Sequence, residues 1–111
     1  MPLSAGTDGV APAGDPWPTV YDELKLLVDK AGLTPGEAIH AATAVGARAA
    51  AQAADMGLIA PGKLANMIVL ARDPTADIEN LKSLETTIKR GRAYARADFR
   101  PLTETELKDA P

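Results

Sequence analysis

Cysteine is absent from this 111-residue chain, and histidine occurs once, at His40. The first absence excludes disulfide scaffolds, thiolate zinc sites and cysteine nucleophiles. The second excludes a histidine-rich metal centre built from a single copy. Aromatic residues are scarce as well: Trp17, Tyr21, Tyr94 and Phe99 are the whole complement. No run approaches the ~18 consecutive apolar residues that a membrane span needs. The start, Met1-Pro2-Leu3-Ser4, lacks the charged-then-apolar order of a secretory leader. The expectation is therefore a soluble, cytoplasmic protein with no membrane partner. Neither sign of charge dominates: 12 Lys+Arg face 15 Asp+Glu, a formal net charge of -3. That balance argues against a nucleic-acid surface spread over the molecule.

What the chain holds in quantity is alanine, at 22 positions. A domain of this size buries only about two-thirds of its unfolded surface, and alanine adds little to that. The core must draw on Leu, Ile and Val and is expected to be thin, which points to association with other chains.

Residues 1–16 are rich in Gly, Ala, Pro and Asp and read as loop, with Leu3–Asp8 as the tail of a short strand. Val20, Leu24, Leu27, Val28 and Ala31 fall at helical spacing, predicting an amphipathic helix over Thr19–Lys30 stopped by Gly32. Thr34-Pro35-Gly36-Glu37 is a helix-start signal, with Thr34 as cap and Glu37 placed to close a capping box. That helix should run to about Thr43, be interrupted at Gly46, and be followed by a second, alanine-rich helix over Val45–Ala54. Leu64–Ala71 is a near-continuous apolar run of strand length, expected to be buried on both faces. After a turn through Asp73–Asn80, Glu85–Lys89 and Arg92–Tyr94 read as a strand interrupted or turned at Gly91. Leu102–Lys108 reads as a frayed helix. Two or three strands cannot cover one another, so either copies associate or further strands come from elsewhere.

Asp8, in Gly6-Thr7-Asp8-Gly9, is the only acid in a setting that could carry chemistry; spacing alone favours a turn aspartate bonding its own backbone. His40 lies mid-helix, and the nearest acid, Glu37, is engaged in capping, so a surface or packing histidine is expected. Gly57–Lys63 has phosphate-loop spacing, but Leu64 replaces the Ser or Thr that would hold magnesium, and a helix precedes where a strand should. A turn leading into a strand is the better reading. Lys89, Arg90, Arg92, Arg96 and Arg100 form the one basic cluster. A solvated hairpin edge, where charge discourages further pairing, accounts for it without a nucleic acid.

Taken together, Ala5–Asp8, Leu33–Ile39, Ala41-Ala42-Thr43, Gly57–Ala65, Ile68-Val69-Leu70 and Asp73-Pro74 resemble the C-terminal part of the metal-dependent amidohydrolases, nearest the imidazolonepropionase-like and prolidase-like branch. The segments come in the family's order over roughly residues 4–94; Asn66 departs from it, standing where the family usually has an aspartate. The resemblance implies an α+β fold: the last strand of a TIM-like barrel at Leu3–Thr7, two or three helices, then a β-hairpin or short sheet belonging to a composite β-sandwich. It divides the chain into a barrel remnant (1–56), sandwich strands (57–94) and a polar tail (95–111). Asp8 matches the family's aspartate at the C-terminal end of the last barrel strand. There the aspartate binds the metal or bonds its water, takes the proton and passes it to the leaving group. The family's His-x-His pair, further histidines and carboxylated lysine all lie upstream of the matching region, and such a barrel takes about 250 residues. The resemblance therefore implies a divalent metal, zinc foremost, in the parent family, and none in the isolated chain. The function it implies is that of a portion of a hydrolase of non-peptide carbon–nitrogen bonds, inactive as a monomer. The alternatives are a self-associating structural or interaction module, or one half of a two-chain hydrolase whose partner carries the barrel.

Overall fold

The computed structural model describes residues 2–7 and 16–109. Four short helices and three strands follow one another in the order α1 (Val20–Asp29), α2 (Pro35–Ala42), α3 (Ala44–Ala49), β1 (Met67–Leu70), β2 (Leu84–Lys89), β3 (Arg92–Ala95) and α4 (Glu104–Asp109). Short 3₁₀ segments occupy Ile78–Lys82 and Arg96–Asp98. The architecture is a small α+β arrangement with one antiparallel sheet in the order β1-β2-β3.

Each helix has a local cause. The Thr34 hydroxyl accepts from the Glu37 N–H at 3.1 Å, and the Glu37 carboxylate accepts from the Thr34 N–H at 3.0 Å. This is the reciprocal box the sequence announces, with Pro35 at the first helical position. The break between α2 and α3 falls at Thr43, not at Gly46, which lies inside α3. The Thr43 hydroxyl donates to the Ile39 carbonyl at 2.7 Å, a back-bond that bends helices. α3 stops at Ala49 and does not reach Ala54, because Ala51 takes a left-handed conformation with φ 58°. Residues 2–7 carry no assigned strand; the Ala5 N–H instead donates to the Ala41 carbonyl at 3.2 Å.

The hairpin is set by its turn. Lys89 pairs with Arg92, leaving Arg90 and Gly91 as a two-residue loop with φ 51° and 81°. Positive φ at both central positions matches the right-handed twist of the strands it joins. Asn66 accepts at its side-chain oxygen from the Arg90 N–H at 2.9 Å, and the Ala65 carbonyl accepts from Gly91 at 3.0 Å. The chain just before β1 thus braces the turn between β2 and β3.

β1 is shorter and wetter than the apolar run suggests. It spans Met67–Leu70, and Ile68 and Val69 remain 44% and 42% exposed. These adjacent residues point to opposite faces, so neither face of β1 is closed. The core lies elsewhere: Leu24 of α1, Ala38 of α2, and Ile78 and Leu81 of the 3₁₀ segment form one buried cluster, with Leu27, Val28 and Leu70 packed against it. A stretch in which the sequence predicts no helix or strand therefore supplies half of the central cluster. Asp77 begins it by accepting from the Glu79 N–H at 2.9 Å, and Lys25 of α1 pairs with Glu79 across the same seam.

Gly57 is irreplaceable on two counts. Its φ is +102°, and a Cβ there would lie 2.7 Å from the Ala47 Cβ and 3.2 Å from the Thr43 carbonyl oxygen. Gly57→Ala is expected to cost about 1–3 kcal/mol through strain and overpacking, more than the ~1 kcal/mol expected for Thr34→Ala at the solvent-facing cap. Urea denaturation of both variants checks the order; a Gly57→Ala variant as stable as the parent would disprove the close packing of this loop on α3.

Candidate functional site

Asp8, the candidate catalytic and metal-binding residue, lies outside the described residues, but the chain on either side of its segment is defined. Thr7 and Thr19 meet through their hydroxyls, Thr19 donating at 3.2 Å. Just before Thr19, Trp17 stands edge-on to Tyr21 of α1, with ring centroids 5.1 Å apart and planes at 84°. Arg96, from the 3₁₀ turn after β3, lies over the Trp17 ring at 4.0 Å and over Phe99 at 4.5 Å. Its guanidinium donates to the Pro16 carbonyl at 3.0 Å. Burial pushes the Tyr21 hydroxyl pKa upward, opposed by the positive charge of Arg96. The basic cluster is thus divided: Arg96 is a stacked, hydrogen-bonded residue and not part of a solvated edge, whereas Arg92 lies over Tyr94 at 5.3 Å on an exposed strand. Sequence reading missed this role because Pro16 and Trp17 lie some eighty positions away. The only signal was a lone tryptophan together with an arginine three residues before a phenylalanine.

His40 projects from α2 as an exposed residue, beside an open groove that also borders Leu3, Leu33, Glu37, Val45 and Arg48. Glu37 is committed to its cap, and the Thr34 amide and hydroxyl hold its carboxyl below the usual range. Among the described residues no three His, Asp or Glu side chains come together as metal donors. The described donor set does not fit the family's metal.

The phosphate-loop mimic has a structural use. The Lys63 ammonium donates to the Ala53 and Ala54 carbonyls, tying the loop back to the chain that follows α3. Its cation meets the carbonyl dipoles of the turn that follows α3. A more open apolar groove of about 700 Å³ lies between α3, Met56–Ile59 and β1, where Leu58 and Ile59 are 58% and 82% exposed.

The amidohydrolase family model matches residues 2–94. Among solved structures, phenylurea hydrolase B is 34% identical with a TM-score of 0.72, over 83% of this chain and 23% of that one. Molinate hydrolase is 36% identical with a TM-score of 0.66, over 70% of this chain and 16% of that one. A Xaa-Pro dipeptidase, solved with methionine in its active site, is 31% identical with a TM-score of 0.64, over 68% of this chain and 18% of that one. The chain therefore spans about a fifth of the length of the structures it matches. No curated protein matches it.

The carboxylates around these elements fix the acid response. Glu37 lies below its ordinary value of 4.5 because of its bonds to Thr34. Glu106, bonded first to Arg100 and then to Thr103, is lowered to about 2. Both have depressed folded values, so their stabilisation is complete above the ordinary carboxylate pKa and is lost as pH falls through the folded value. Helical circular dichroism should decline between about pH 4.5 and 2, and Glu37→Gln and Glu106→Gln should each flatten that decline. An unchanged acid profile in both variants would disprove the two caps.

Proposed function

The chain belongs to the amidohydrolase family, and on that premise we propose that it is the C-terminal portion of a metal-dependent hydrolase of carbon–nitrogen bonds other than peptide bonds, working in the cytoplasm. The observation that carries the reading is the match over residues 2–94; the three neighbours named above are all hydrolases, one of them a dipeptidase. On this reading Leu3–Thr7 corresponds to the last barrel strand, the helices of residues 1–56 pack on a barrel wall, and the strands within 57–94 belong to a composite sandwich. The branch is imidazolonepropionase-like or prolidase-like. Asp8 occupies the family's aspartate position, at the end of a strand where barrel enzymes keep their chemistry. Its carboxylate would hold or release a proton beside the scissile bond once histidine ligands from outside this sequence complete the site.

The isolated monomer is then inactive. The alternatives are one half of a two-chain hydrolase, with a histidine-bearing partner that supplies the barrel, or a self-associating structural or interaction module. The exposed apolar side chains of Leu58, Ile59, Ile68 and Val69 favour an arrangement in which something covers them.

Native mass spectrometry of the purified chain with added zinc, followed by an amide and carbamate hydrolysis screen, tests the reading. The expected result is no stoichiometric zinc and no turnover above background. Stoichiometric zinc together with hydrolysis abolished by Asp8→Ala would overturn the inactive-monomer assignment.

A further inference from the structure

Arg96, in the turn after β3, touches the described residues that follow the segment containing Asp8. Its three contacts come from different directions: a hydrogen bond to the Pro16 carbonyl at 3.0 Å, the Trp17 ring at 4.0 Å and the Phe99 ring at 4.5 Å. A planar guanidinium can stack on rings with its faces while donating from its edge; a lysine ammonium cannot do both. None of the ion pairs among the described residues involves Arg96: they join Lys25 to Asp29 and Glu79, and Arg100 to Glu106. Its charge is directed to rings and a carbonyl.

The position of this contact gives it a consequence. Thr7 and Thr19, both among the described residues, bond through their hydroxyls. Pro16–Pro18 lies immediately before Thr19, and Trp17 also contacts Tyr21 of the first turn of α1. Fixing Pro16 and Trp17 fixes where the chain enters α1.

We propose that Arg96 is a positioning residue, a latch that holds Pro16–Thr19 to the turn after β3 and so anchors the downstream end of the Asp8-bearing stretch to the sheet. The latch stands on its own contacts; only its bearing on Asp8 rests on the reading under Proposed function. Formation of the hairpin and placement of the chain before α1 become one event, although eighty residues separate them in sequence.

Trp17 is the sole tryptophan, so its fluorescence reports the latch without any assay of activity. In the 111-residue chain, Arg96→Ala and Arg96→Lys are expected to shift Trp17 emission to longer wavelength. Exchange of the Tyr21 N–H, which donates to the Pro18 carbonyl at 3.2 Å, should accelerate roughly tenfold, the scale of a lost hydrogen bond and cation–π pair. Arg92→Ala, which removes the equivalent contact on Tyr94, should leave both readouts at parental values. Far-UV circular dichroism verifies that each variant is folded; should Arg96→Ala unfold, Arg96→Lys decides by the same two readouts. Parental emission and exchange in a folded Arg96 variant would overturn the latch, whatever hydrolysis the chain does or does not support.

Discussion

The structure depends on the insertion of Ile78 and Leu81 against Leu24 and Ala38. The helices are built largely from alanine and offer little volume of their own: among the described residues, buried Ala38, Ala41 and Ala47 are the commonest kind of core residue. A single 3₁₀ segment between β1 and β2 brings two large side chains to that surface and, through Leu70, draws the sheet with it. Dispersion and burial at this one seam hold helices and strands together. The exposed Lys25–Glu79 pair beside it adds specificity of approach and little energy.

Away from the seam, apolar side chains lie open to solvent. Ile68 and Val69 on β1 and Leu58 and Ile59 ahead of it are exposed, although the sequence around them is that of a buried strand. In the solved relatives the matching segments make up 16% and 23% of the chain.

Arg96 illustrates a second kind of organisation. Its contacts bridge the turn after β3 to the start of α1, a region otherwise linked to the sheet by few large side chains. Rings and a carbonyl replace the aliphatic packing that an alanine-rich chain cannot provide. Asn66 does the same on a smaller scale, holding the Arg90–Gly91 turn with one side-chain oxygen.

The amino-acid sequence by itself determined the elements whose causes are local. The Thr34–Glu37 capping box, the Gly91 hairpin, the amphipathic first helix and the family assignment over residues 2–94 rest on adjacent residues and their spacing. Tertiary structure alone decided the rest. Ile78 read as turn and Leu81 as part of no element, because a 3₁₀ segment of five residues has no period to detect. Arg96 read as part of a charged edge because its partners are remote. β1 read as buried because composition records the faces a strand is suited to cover, while exposure is set by what actually packs on them.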